Sequence, residues 1–206
     1  MKKEETTEET PITELHRYRV EIVGITPVIW NRPLTDFRKA HIAPKVKKDP
    51  AQEEWNIWRD KTHVRGEDEE VYWPSENVHE AIVGGAKYWG AKLANKSIYT
   101  FCQRGMICEP MTIKDHDGNK VTKQSKSLLP FEKEVRTGMK STVVYTVRPM
   151  LPPEWKGIVF LNVWDPRLSK DLMLTVLRFT GQYNGIGDFR KYYGRFNVVA
   201  IDEENV

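Results

Sequence analysis

Four glycines, Gly181, Gly185, Gly187 and Gly194, fall inside the run Phe179–Asn197 and constrain the chain more than any other feature. Glycine reaches positive φ and lets two backbones approach closely, so a run this dense reads as a shaped loop. Ahead of it, Leu172, Val176 and Phe179 line one face after Ser169, a cap, and Asp171, which predicts a helix stopping at Gly181. Behind it, the β-branched stretch 196–201 predicts a last strand. The same run carries Arg190, Lys191 and Arg195 and the rings of Phe179, Tyr183, Phe189, Tyr192 and Tyr193. Cations hold phosphates and aromatic faces stack on bases, which suits single-stranded nucleic acid. A glycine-rich turn tucking its aromatics into the core accounts for the same residues.

The elements that feed this loop are legible at lower detail. Tyr18, Val20 and Ile22 alternate with Arg17, Arg19 and Glu21, a strand that ends near Gly24 and Pro27. Residues 31–50 read as an irregular or partly helical basic segment, after which Asp49-Pro50 opens a short helix carrying Trp55 and Trp58 on one face. A short strand at 71–73 leads into a helix capped by Ser75, with Val78, Ile82, Gly85 and Trp89 on one face. Its Gly84-Gly85 pair weakens an isolated helix, so close packing is expected there. Residues 97–147 read as β, with 115–119 as a hairpin turn and 142–147 as a strand. The continuous apolar run 158–161 reads as a fully buried strand. Two helices covering one face of an antiparallel sheet is the ferredoxin-like plan.

Charge divides the chain into three. The whole carries +3, residues 1–14 and 201–206 carry −3 each, and removing both ends leaves +9 on residues 15–200. A basic body between acidic tails fits a nucleic-acid binder whose tails compete for the groove, and equally fits two solvated ends. Within the body, Lys120, Lys123, Lys126, Lys133, Arg136 and Lys140 make the hairpin region basic and poor in apolar residues. No apolar run approaches the roughly 18 residues of a membrane span. The first ten residues have no apolar core, so no signal peptide is expected, and the two cysteines suit a reducing compartment or one bridge. The expected location is the cytoplasm, that of the host if the protein is viral.

Catalytic and metal chemistry find little support. Cys102 and Cys108 have no histidine pair at zinc spacing, and Asp115, His116 and Asp117 are explained by a turn. No phosphate-loop or dinucleotide motif is present, and no cofactor or metal is expected. The imidazoles His16, His41, His63, His79 and His116 show no spacing that marks an acid–base pair.

Three segments resemble the RAMP superfamily, the ferredoxin-like proteins that form the guide-binding backbone of CRISPR effector complexes and include guide-processing endoribonucleases. They are the opening strand 20–29, the Pro74-Ser75 helix start within 72–86, and the glycine loop Gly181–Gly194 running into Arg195-Phe196. The chain also resembles small phage and prophage proteins that share Gly24-Ile-Thr-Pro27 and the closing Gly185-Ile-Gly-Asp-Phe-Arg…Tyr193-Gly-Arg-Phe196. The resemblance covers most of 16–200, weakly in the middle. It implies a single-stranded nucleic-acid binder that lines up along its ligand. The chain departs from the pattern in the acidic Asp188 inside the loop, and Gly194-Arg-Phe196 is only a fragment of an RNA-recognition signature.

The expectation is an α+β, ferredoxin-like (RRM/RAMP-like) domain over 15–200. It has an acidic disordered tail at 1–14, an acidic tail at 201–206 and a basic β-hairpin elaboration around 103–147. Its expected activity is sequence-tolerant, cooperative single-stranded nucleic-acid binding in phage replication or recombination, with DNA preferred to RNA and no catalysis. The expected contacts are Lys123, Lys126, Arg136, Lys140, Arg148, Arg190, Lys191, Tyr192, Tyr193 and Arg195, shaped by Gly181, Gly185, Gly187 and Gly194. Two alternatives stay open. One is a RAMP-type metal-independent endoribonuclease or guide-RNA-binding subunit. The other is a phage protein that inhibits a host machine by protein contact, with the seven tryptophans as anchors.

Overall fold

The computed structural model describes residues 14–34, 50–93, 95–137, 142–190 and 192–204. Its main layer is an antiparallel sheet in the order β12 (Phe196–Glu204), β1 (His16–Gly24), β11 (Lys156–Val163), β8 (Met111–Lys114), β4 (Glu70–Trp73), β3 (Val64–Arg65), with β7 (Met106–Cys108) also pairing to β11. Helices α2 (Ser75–Trp89) and α4 (Lys170–Phe179) pack over one face, joined by the shorter α3 (Ile98–Gly105). Counting β1, β7/β8, β11 and β12 as the four core strands, the order is fourth, first, third, second: the ferredoxin-like plan.

Alternation makes the sheet two-faced. Tyr18, Val20 and Ile22 on β1 and Val159, Leu161 and Val163 on β11 are buried under the helices. The apolar run 158–161 therefore alternates where a fully buried strand was expected, because among the described residues the helices pack over one sheet face only.

A second, three-stranded sheet carries the elaboration: β2 (Val28–Ile29), β10 (Thr142–Leu151) and β9 (Leu129–Thr137). The β9–β10 pair is the basic hairpin, at 129–151, overlapping the end of the region expected around 103–147 and running past it to Leu151. It is pinned to α1 (Pro50–Ile57) and the 3₁₀ turn Trp58–Lys61. The buried Lys61 ammonium donates to Glu54 (2.5 Å) and to the Val147 carbonyl (2.9 Å), while the Val147 N–H donates to Glu54 (2.9 Å). Trp58 is buried, whereas Trp55 is 38% exposed and donates to the Tyr145 hydroxyl (3.1 Å). A small strand pair, β5 (Lys92–Leu93) and β6 (Lys96–Ser97), precedes α3.

Several local expectations change. Residues 98–105 are helical, with Ile98, Phe101, Cys102 and Gly105 buried at helical spacing. Pro74, not Ser75, occupies the N-cap of α2, and its backbone carbonyl accepts from Val78 N–H (3.2 Å). The helix before the glycine loop passes Gly181 as a π turn, Thr180–Asn184, and ends at Gly185 (φ 73°). Asp202, Glu203 and Glu204, expected in a tail, belong to β12, where Glu203 pairs with His16 (2.7 Å) and Glu204 with Arg17 (3.4 Å). Residues 1–13 of the expected N-terminal tail lie outside the described residues.

Candidate nucleic-acid interface

The two motifs singled out in the sequence, Gly24–Pro27 and the glycine loop, are stitched together by backbone. Ile25 N–H donates to the Arg195 carbonyl (2.8 Å), Gly194 N–H to Pro27 (2.7 Å) and Asp188 N–H to Ile29 (2.8 Å). The Thr26 hydroxyl accepts from Arg195 N–H (2.9 Å). Glycine is required at these approaches. Gly194 has φ 70°, and a Cβ there would sit 1.7 Å from the Ile186 carbonyl oxygen. Gly187 (φ 90°) lies over Ile29 and Trp73, and a Cβ on Gly181 would meet the Phe196 carbonyl at 2.1 Å. Below the loop, Trp30 and Trp73 stack at 4.9 Å, both buried, giving it a rigid floor.

The hairpin meets the loop on its other flank. Phe131 of β9 packs edge-on to Tyr193 (5.2 Å) and against Phe189 (6.2 Å). Phe189, held at φ 51° although it is not glycine, lies under two cations, Lys133 (4.3 Å) and Arg148 (4.5 Å). Arg148 is ion-paired with Asp188, so the acid inside the loop is matched within the molecule. Burial lowers the pKa of the Arg148 guanidinium, opposed by the carboxylate of Glu54. Tyr192 is 65% exposed, and Arg190 in the same loop is exposed as well. Arg195 is drawn back, its guanidinium donating to the Gln182 carbonyl.

Thus Arg148 is brought against the loop that carries Arg190, Tyr192, Tyr193, Arg195 and the four glycines. Lys123 is turned elsewhere, paired with Asp60 (2.6 Å) and Glu69 (3.4 Å), which raise its pKa through hydrogen bonding first. Lys126 is exposed in the turn before β9. Arg136 lies in β9, its side chain outside those described, and Lys140 and Lys191 lie outside the described residues. Phe131 and Lys133 were missed by the sequence reading. Phe131 is the one aromatic in the basic 120–140 segment, and that isolation was the available signal.

The sheet face away from α2 and α4 is different in character. Arg17 stacks over Phe160 (4.3 Å) and pairs with Glu109 (3.0 Å), Arg19 pairs with Glu21 (2.5 Å), and Arg65 with Glu70 (3.1 Å). Cations already matched by carboxylates offer little to phosphates. Phe196, from the RNA-recognition-like fragment, is buried. The described imidazoles sit apart: His16 on Glu203, His63 half-buried against Tyr72 and Trp73, His79 beside the Cys102 carbonyl (3.3 Å), and His116 with Asp117 (3.2 Å). His41 lies outside the described residues. Asp115, His116 and Asp117 gather their ligand atoms within 4.8 Å, but Asp115 already accepts from Asn119 N–H (2.8 Å) as a turn residue. Cys102 and Cys108 are buried free thiols. Among the described residues no helix is long and apolar enough to cross a membrane.

No protein-family model and no curated protein matches the sequence. The fold is similar to a chain in the cryo-EM structure of the Type III-B Cmr-beta bound to cognate target RNA, with a TM-score of 0.51 and 12% identity. The similarity covers 92% of this chain and 61% of that one, so this chain spans about three-fifths of its length. At that identity the likeness establishes the fold.

Proposed function

We propose that the chain binds single-stranded nucleic acid without cleaving it, through the surface where the basic hairpin meets the glycine loop. The observation that carries this reading is the convergence of Phe131 and Lys133 of the hairpin with Phe189 and Tyr193 of the loop, two elements remote in sequence; the loop also exposes Tyr192 and Arg190. Rings and cations held on a rigid floor fit a strand whose bases are unpaired and whose phosphates are accessible. The RAMP resemblance and the fold of a chain from an RNA-bound complex support the same reading. Phosphate and ring contacts are common to DNA and RNA, so the DNA preference, the cooperative coating and the phage role are further parts of the proposal. The scattered imidazoles favour binding over an endoribonuclease.

The test is fluorescence anisotropy with a labelled 30-nucleotide strand as DNA, as RNA and as duplex, at two salt concentrations. The expected result is single-strand binding that weakens steeply with salt. The DNA-to-RNA ratio of affinities decides the preference, and a sigmoidal isotherm decides cooperativity. No binding to any of the three at low salt overturns the proposal in favour of protein contact.

A further inference from the structure

A ladder of three aromatic rings runs outward from the helical layer and ends in a groove. Trp89 at the end of α2 stacks on Phe179 at 5.5 Å with 22° between the planes. Phe179 stacks on Tyr183 at 5.5 Å and 26°. Tyr183 is the outermost ring and is 53% exposed. It opens onto a groove of about 490 Å³ lined by Tyr88, Tyr99, Lys87, Glu80 and Arg190 among others. Tyr88, also in the lining, is 67% exposed, so two tyrosine rings are open to solvent along the same groove. None of the groove's lining residues belongs to the β9–β10 hairpin.

The backbone fixes the outer ring. The π turn closes with Gly185 N–H donating to the Thr180 carbonyl (2.7 Å), and single π turns are frequent at functional sites. Next to Tyr183, the Asn184 amide donates to the Ala81 carbonyl (2.7 Å), and a Cβ on Gly84 would sit 2.5 Å from that amide nitrogen. Tyr183 is therefore presented from an anchored turn, with no flexible tether.

The charges around the groove differ from those on the sheet face described above. Cations on the open sheet face are matched by carboxylates, but neither Lys87 nor Arg190 has an ion-pair partner among the described residues. A planar π surface beside two unmatched cations suits an unstacked base with its adjoining phosphate. Glu80, also in the lining, can accept from an exocyclic amine, present on adenine, cytosine and guanine and missing from thymine and uracil. We infer that this groove holds one base of the bound strand, stacked on Tyr183 as the next step of the Trp89–Phe179–Tyr183 ladder, with its phosphate between Lys87 and Arg190. The inference rests on the single-strand reading and adds to it a second base site, outside the hairpin surface.

The experiment uses 2-aminopurine, which carries an exocyclic amine and is quenched on stacking, placed singly in strands of about 20 nucleotides and also supplied as the free 5′-monophosphate. Quenching and anisotropy are read for the wild type, Tyr183→Leu, Tyr88→Ala and Lys87→Glu. Tyr183→Leu keeps an apolar cover over Phe179, and the other two changes are at exposed positions, so folding is preserved in at least those two. The expected result is quenching at some strand position in the wild type, lost in Tyr183→Leu, with roughly fivefold or greater weakening of binding in Tyr183→Leu and Lys87→Glu. Quenching and affinity unchanged in all three variants overturn the groove and leave the hairpin surface standing. Equal binding of the free nucleotide and the strand overturns the assignment to a strand. A wild type that binds no strand removes both proposals together.

Discussion

Arg148 on the hairpin and Asp188 in the glycine loop form an ion pair that is mostly withdrawn from solvent, and it is the charged link between the two halves of the proposed surface. Asp188→Asn leaves the guanidinium desolvated without its carboxylate, a loss on the order of 1–3 kcal/mol. The expected outcome is a lower melting temperature together with a steeper salt dependence of strand binding, because Arg148 becomes available to phosphate. A double-mutant cycle with Arg148→Met reads the coupling directly, and zero coupling would show that the pair contributes nothing.

Tyr192 and Arg195 separate stacking from folding at the loop. The double change Tyr192→Ala with Arg195→Ala is expected to weaken single-strand binding at least tenfold, since a stacked base alone contributes about 1–3 kcal/mol. Anisotropy titration is the measurement, and a change within a factor of two removes the loop from the interface.

Gly85 tests the packing of α2 on the π turn. A Cβ there would lie 2.0 Å from the Thr180 hydroxyl and 2.6 Å from the Thr180 Cα, with backbone that has nowhere to go. Gly85→Ala should cost about 1–3 kcal/mol by overpacking, despite the better helix propensity of alanine. Urea denaturation is expected to show a lower midpoint at an unchanged slope, and a stabilised variant would mean the contact relaxes.

Acid should loosen the hairpin first. Burial pushes Glu54 upward, but hydrogen bonds from Lys61, from the Val147 N–H and from Thr146 outweigh it and hold the carboxyl below its ordinary 4.5. A depressed carboxylate contributes stability that is present above the ordinary value and is lost as pH falls through the folded one. The wild type is expected to lose melting temperature below about pH 4.5. Glu54→Gln should be less stable at pH 7 and show a smaller acid loss, and parallel profiles would exclude Glu54 as a cause.

Both cysteines should resist alkylation. Burial first, with Asp165 adding at Cys102 and Cys102 at Cys108, pushes each thiol up to about 12. At pH 8 iodoacetamide is expected to leave the native protein unmodified and to label both residues in denaturant, read by intact mass. Rapid native labelling would place one of them at the surface.

What the sequence disclosed and what it hid divide along locality. β1, α1, α2, α4 and the turn at Asp115–Asn119 follow from short-range periodicity and turn chemistry, and all are present. The helix at Ile98–Gly105 was obscured by its β-branched and aromatic residues, although Ile98, Phe101, Cys102 and Gly105 stood at helical spacing throughout. The fate of Asp202–Glu204 depended on Arg17 and His16 at the opposite end of the chain, and no local pattern reports such partners. At the candidate site, the loop residues were legible because glycines, cations and rings crowd one run. The Phe131–Tyr193 contact and the Arg148–Asp188 pair were hidden, because each joins positions about 40 to 60 residues apart.

The clasp of Gly194 on Pro27 has a consequence for synthesis. A contact spanning so much of the chain closes one of its longest loops, and such closures come late because their entropy is paid before any local gain. On the ribosome the first strand and the hairpin emerge well before the residues that complete the surface. The nascent chain therefore lacks the surface proposed to bind a strand while it is surrounded by ribosomal and messenger RNA, and can complete it only once Gly194 has cleared the ribosome.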